Sequence, residues 1–191
     1  MRIATIAVLL FLSGCATFQE VLALRDVDFT LDRVADVRLA GVDMSRVQTF
    51  GDLSVGDAGR IAIAASRREL PLEFQLHLLA ENPEENSVSA RLVQMDWTLL
   101  LQDRETLSGT FANETVLPPG QPVDVPIGIS LNLIEFFEGN AEDLVELALS
   151  LAGQGGEPKD IALRATPIVQ TSLGPIRYPN PITIVSGRVG G

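Results

Sequence analysis

The chain is poor in the residues that carry most protein chemistry. It holds one cysteine, Cys15, and one histidine, His77, among 191 residues. A single cysteine excludes an internal disulfide. A single histidine excludes a multi-histidine metal site, and a histidine-based catalytic triad would have to use His77. Positive charge is scarce: 14 Lys+Arg stand against 25 Asp+Glu, a formal net charge of −11. An acidic surface repels phosphate, so no nucleic-acid partner is expected. It also repels anionic lipid headgroups, so membrane contact is expected from an anchor rather than from a basic face.

What is present is a globular composition. Hydrophobic residues make up 46% and charged residues 20%, enough apolar material for a core and too much for a disordered chain. The length suits one domain.

The N-terminus has the pattern of an export signal. Arg2 supplies a positive start, and Ile3 to Leu12 is an apolar stretch. Spanning a bilayer takes about 20 residues, so this stretch is too short for that, but it suits a signal core. It ends in Leu12-Ser13-Gly14-Cys15. This resembles the lipobox of bacterial lipoproteins, in which small residues admit a peptidase to the bond before an obligatory cysteine. The resemblance implies a Cys15 thiol carrying a diacylglycerol with palmitate-type chains. One acyl chain binds a membrane marginally, at about 0.8 kcal/mol per buried CH2, whereas two or three give a lasting anchor. Ala16 follows Cys15 in place of an aspartate, which favours the outer membrane over the inner one, with the domain facing the periplasm. The chain thus divides into a signal peptide (1–14), a lipidated cysteine and tether (15–25) and one folded domain (26–188).

Period-2 alternation of apolar and polar residues predicts strands through most of the domain. Val27, Phe29 and Leu31 alternate with acids and Thr30; Val34 to Val47 reads as a second strand with a bulge near Gly41. The clearest strand is 70–80, where Leu70, Leu72, Phe74, Leu76, Leu78 and Ala80 share a face and Leu79 is the exception. Strands are predicted over 88–102 and 106–117 as a hairpin, then over Val123 to Leu133, with Pro126 marking an edge or a bulge. Two closing strands are predicted near 160–170 and 175–186. Helices are predicted over Asp57–Arg68 and Ala141–Ala152, the second with Asn140 as its N-cap and Gly153 as its stop. About eight strands with intervening turns imply a mainly β fold, an antiparallel β-sandwich with one or two short helices.

The order of these elements resembles the LEA-14 type domain, also called the WHy domain or late embryogenesis abundant type 2. Its hallmark is an alternating strand ending in Asn-Pro, here Leu72 to Asn82-Pro83. A strand with a tryptophan-bearing apolar face follows, here around Trp97, then a hairpin leading to Pro118-Pro119-Gly120, another strand, a helix and two closing strands. Family members commonly read Asn-Pro-Asn; here Glu84 takes the third position. The resemblance implies a fibronectin-III-like sandwich, a stress, desiccation or envelope role, and no catalytic residues.

Each candidate for chemistry has a plainer reading. His77 lies on the polar face of its strand, beside Glu73, Gln75 and Glu81, with no nucleophile motif, and is expected to be a solvated surface residue. Glu84-Glu85 and Glu142-Asp143 lack calcium-loop spacing and read as loop and helix-capping acids. Trp97 shares a face with Val93 and Leu99 and reads as core. Phe136-Phe137 are adjacent near a strand-to-helix junction, so one is expected to face outward and form a ligand or contact surface. The glycines after the second helix do not precede a helix, so they form no phosphate loop. No metal and no cofactor are expected. Two readings follow: a lipid-anchored, non-catalytic envelope protein, or a periplasm-facing carrier of lipids or other apolar ligands with a cavity between the sheets and the 141–152 helix.

Overall fold

The computed structural model describes residues 27–86, 88–101, 103–136, 141–154, 161–171 and 174–185. They form ten strands: β1 (Asp28–Leu39), β2 (Val42–Asp43), β3 (Pro71–Glu81), β4 (Ala90–Leu101), β5 (Arg104–Phe111), β6 (Thr115–Leu117), β7 (Val123–Asn132), β8 (Ile161–Thr171), β9 (Gly174–Arg177) and β10 (Ile182–Val185). Three helices join them: α1 (Val55–Ser66), the single turn α2 (Leu133–Phe136) and α3 (Ala141–Leu151), with short 3-10 turns at Met44–Arg46 and Phe50–Asp52.

The strands make two antiparallel sheets. One has the order β2-β1-β3-β7; the other runs β10-β8-β4-β5, with β6 also on β4 and β9 also on β8. The alternation of β3 decides which way each residue points. Leu72, Phe74, Leu76, Leu78 and Ala80 are buried, as are Val125, Ile127, Ile129 and Leu131 of β7 beside them. From the facing sheet, Leu92, Met95, Trp97, Leu99, Leu101, Leu163 and Ala165 complete one continuous core. The mainly β sandwich expected from the alternation is what forms.

Several expected strands differ in detail. Val34 to Val47 is not a second strand. β1 runs on to Leu39, and the chain then reverses at Ala40-Gly41, whose φ angles are 49° and 76°. Leu39 pairs with Val42 across this two-residue turn, the geometry of a tight hairpin. The irregularities lie inside β1 instead, between Leu31 and Arg33 and between Ala35 and Arg38. The expected strand 106–117 splits at Ala112–Glu114 into β5 and β6. The expected strand 175–186 splits where Pro179 and Pro181, which lack a backbone donor, interrupt β9 and β10. Pro126 does lie on an edge strand, β7.

Ala40 pays for its left-handed φ with no compensating side-chain bond, because the strain falls on any residue bearing a Cβ and asparagine tolerates it best. Ala40→Asn creates the Asn-Gly pair that this turn favours. It should raise unfolding free energy by about 0.5–1 kcal/mol, read as a higher denaturation midpoint at unchanged slope.

α1 begins at Ser54, whose hydroxyl accepts from the Asp57 amide at 3.1 Å and donates to the Asp57 carboxylate at 2.7 Å. α3 is buried nearly all round: Leu144, Val145, Leu147, Ala148, Leu149, Ser150 and Leu151 are all inside. It rests on β1 and touches α1 and both 3-10 turns. These pieces close the end of the first sheet where β1 finishes and β3 begins.

Candidate functional site

The lipobox residues Leu12, Ser13, Gly14 and Cys15 lie outside the described residues, as do Phe137 and Asn140. Phe136, the other half of the Phe136-Phe137 pair, is half-buried at the end of α2 and packs against the core.

The Asn-Pro motif is a structural knot. Asn82 is completely buried. Its Nδ2 donates to the Leu117 carbonyl at 2.8 Å and the Val88 carbonyl at 3.2 Å. Its Oδ1 accepts from the Asn86 side-chain amide. Its backbone carbonyl accepts from Gly120 N–H at 2.7 Å. One asparagine therefore ties together the end of β3, the 83–88 loop, the end of β6 and the Pro118-Pro119-Gly120 turn. A side chain with both donors and an acceptor is required to do this. Gly120 holds φ at 66°, and a Cβ there would meet Glu84 at 3.4 Å.

His77 is less solvated than its polar face suggests. Its side chain is 13% exposed, because Arg33 of β1 and Asp124 of β7 flank it in the sheet. Nδ1 lies 2.8 Å from Asp124 Oδ2 and 3.0 Å from Arg33 Nη2. A guanidinium only donates and a carboxylate only accepts, so Nδ1 serves one of them at a time, donating to Asp124 or accepting from Arg33, and Arg33 also meets Asp124 directly at 3.6 Å. Asp32 pairs with Arg33 on its other side. The alternation places His77 on this face, but only register across three strands brings Arg33, His77 and Asp124 together.

Trp97 is in the core, as expected, at 7% exposure. Its indole lies directly against Gly109, the residue paired with it across β4 and β5. Its Nε1 is buried and has no hydrogen-bond partner among the described residues.

Two open grooves lie on the outer sheet faces. One, of about 510 Å³, is lined by Asp96, Trp97, Thr98, Ser108, Arg164 and Pro181, among others. Hydrogen bonds from Gln94, Arg177 and Thr110 hold the Asp96 carboxyl below the usual carboxylate range. The other, of about 420 Å³, is lined by Asp36, Arg38, Glu73, Gln75 and Ser130, among others. Both are open to the surface and mix polar with apolar lining. Among the described residues, no three His, Cys, Asp or Glu are grouped to hold a metal, and no helix is long and apolar enough to cross a membrane.

No protein-family model matches the chain, and no curated protein matches it. Among solved structures, it is similar to a protein from Archaeoglobus fulgidus, at 11% identity and a TM-score of 0.36, over 60% of this chain and 82% of that one. It is also similar to a solution structure described as a candidate late embryogenesis abundant (LEA) protein, at 15% identity and a TM-score of 0.41, over 100% of this chain and 86% of that one. The β-sandwich therefore stands on the strand pairing of the chain itself.

Proposed function

We propose that this chain is a lipid-anchored, non-catalytic protein of the cell envelope. Cys15 holds it on the outer membrane, and its LEA-type sandwich faces the periplasm and serves in envelope or desiccation-type stress protection. The observation that carries the reading is the lone cysteine at the end of Leu12-Ser13-Gly14-Cys15, behind an apolar stretch too short to span a bilayer. Anchoring gives that residue a chemistry that no disulfide can. The structural use of Asn82 supports the LEA resemblance, since the motif closes the fold and leaves no reactive group exposed.

Mass analysis of the protein from a membrane fraction tests the anchor. The N-terminal peptide should begin at Cys15 and carry the added mass of a diacylglyceryl group, and Cys15→Ser should keep residues 1–14 and lack that mass. An unmodified Cys15 thiol would overturn the reading. A deletion strain that survives drying as well as its parent would remove the stress role.

A further inference from the structure

Four large hydrophobic residues are exposed among the described residues, and three of them, Phe50, Val55 and Ile63, fall on one short stretch. Their exposures are 39%, 94% and 54%. At about 100° per residue, Ile61, the buried residue of α1, points opposite to Ile63. The solvent side of α1 then carries Val55, Gly56, Arg60, Ala62, Ile63 and Ser66, all exposed. No exposed residue of α1 is acidic, although the chain has 25 acids. The Ser66 hydroxyl donates to the Ile63 carbonyl at 2.8 Å, so it brings no unmet donor into an apolar contact.

Arginines border this strip. Arg60 lies within it, and Arg67 and Arg68 follow directly, all exposed. Of the nearby acids, Asp57 is half-buried, bonded to Ser54 and 3.7 Å from Arg60, Asp52 bonds Thr49, and Glu69 is exposed beyond the end of α1, after Arg68. From Phe50 to Glu69 three arginines stand against three acids, and no acid is exposed on α1 itself. The chain as a whole is strongly acidic, yet the exposed face of α1 sets arginine and no acid beside its apolar side chains.

We infer that the outer face of α1, with Phe50, is a second membrane contact that docks on anionic lipid headgroups. Aliphatic side chains enter the headgroup boundary and arginines meet lipid phosphates, as in interfacial helices. A protein partner fits less well. A 12-residue helix presents a strip about 18 Å long and about 10 Å wide, far short of the roughly 800 Å² per partner of a stable interface. A two-fold pairing with a second copy would also set arginines against arginines. The tether allows the contact: the segment from Cys15 to Val27 reaches about 40 Å when extended, comparable to the 12 residues of β1 that separate the chain's entry from the α1 end. That last point alone rests on the anchor proposed above.

The test uses the full chain with Ile63→Trp, mixed with vesicles of zwitterionic lipid alone or of equal zwitterionic and anionic lipid. Trp97 is buried and serves as a constant background. The introduced indole should shift to the blue and be quenched by brominated acyl chains in the anionic vesicles only. Val116→Trp, an exposed site on the other sheet, should not respond. Each of Arg60→Gln, Arg67→Gln and Arg68→Gln should weaken anionic-vesicle binding about fivefold, with high salt doing the same. Absence of quenching at position 63, equal quenching in zwitterionic vesicles, or a concentration-dependent dimer that forms in place of quenching would each overturn the inference. Quenching with an unmodified Cys15 would uphold this contact and reject the anchor; vesicle binding without quenching would do the reverse.

Discussion

Replacing Asn82 by leucine should lower the unfolding free energy by about 3 kcal/mol, since a buried group left without its hydrogen bond costs about 1–3 kcal/mol. Leucine matches the branching and heavy-atom count but is bulkier and cannot donate. The Leu117 carbonyl, on a fully buried residue, loses its 2.8 Å partner, and the Asn86 amide loses its acceptor. The Val88 carbonyl is on a half-exposed residue and can turn to water, so it contributes least. Asn82→Asp should be worse at neutral pH, because a buried carboxylate would face two carbonyl oxygens. Burial against those two carbonyls, with the Asn86 amide as its donor on the other oxygen, raises that carboxyl's pKa in the folded state above its unfolded value. The aspartate variant is then most stable in acid, and its stability falls as pH rises through the folded pKa. Pro83→Ala should cost no more than about 1 kcal/mol, through the freer unfolded chain alone. Denaturation followed by the fluorescence of Trp97, the one tryptophan, reads all three. A leucine variant as stable as the parent would show that the asparagine is not what joins β3, β6 and the Pro118-Pro119-Gly120 turn.

Much of this architecture was legible in residue order, and the reasons are local. Alternation along 70–80 and 123–133 selects the inward face of β3 and β7, because the pleat has a period of two. The turn at Ala40-Gly41 was not legible. Alanine is a poor left-handed residue, so Val34 to Val47 reads as continuous. The strand breaks at Ala112–Glu114 and Tyr178–Pro181 were likewise obscured by apolar residues on both sides. The site features depend on register. Asn82 looks like a turn residue until β6, 35 positions away, supplies its partner. Arg33, His77 and Asp124 come from three strands. Net charge described the chain as a whole and concealed the arginines gathered around α1, because a sum over residues carries no positions. The fold class thus follows from short-range pattern, while the polar knot and the charged face follow from pairing that only the tertiary structure supplies.

Gly109→Val should be the other strongly destabilising change, at about 3 kcal/mol, the upper range for forcing extra volume into a packed core. A Cβ at Gly109 would collide with Trp97 Cζ2 and lie 2.8 Å from Cε2 and 2.9 Å from Cη2. These are ring atoms of a buried residue, at 7% exposure, so the ring has little room to swing away. Valine suits a strand better than glycine does, so any loss reports the collision and not the backbone. Trp97→Phe removes Cζ2 and Cη2, two of the three colliding atoms, and with them most of the collision. It also removes a buried N–H that has no acceptor among the described residues, so its own cost should be about 1–2 kcal/mol, below that of most large truncations. In the Trp97→Phe background, Gly109→Val should then cost less than about 1 kcal/mol, a coupling of about 2 kcal/mol between the two sites. Far-ultraviolet circular dichroism would follow unfolding here, since the fluorescent reporter is gone. Additive costs in the double variant would mean that the glycine is required by its backbone and not by the indole that lies across it.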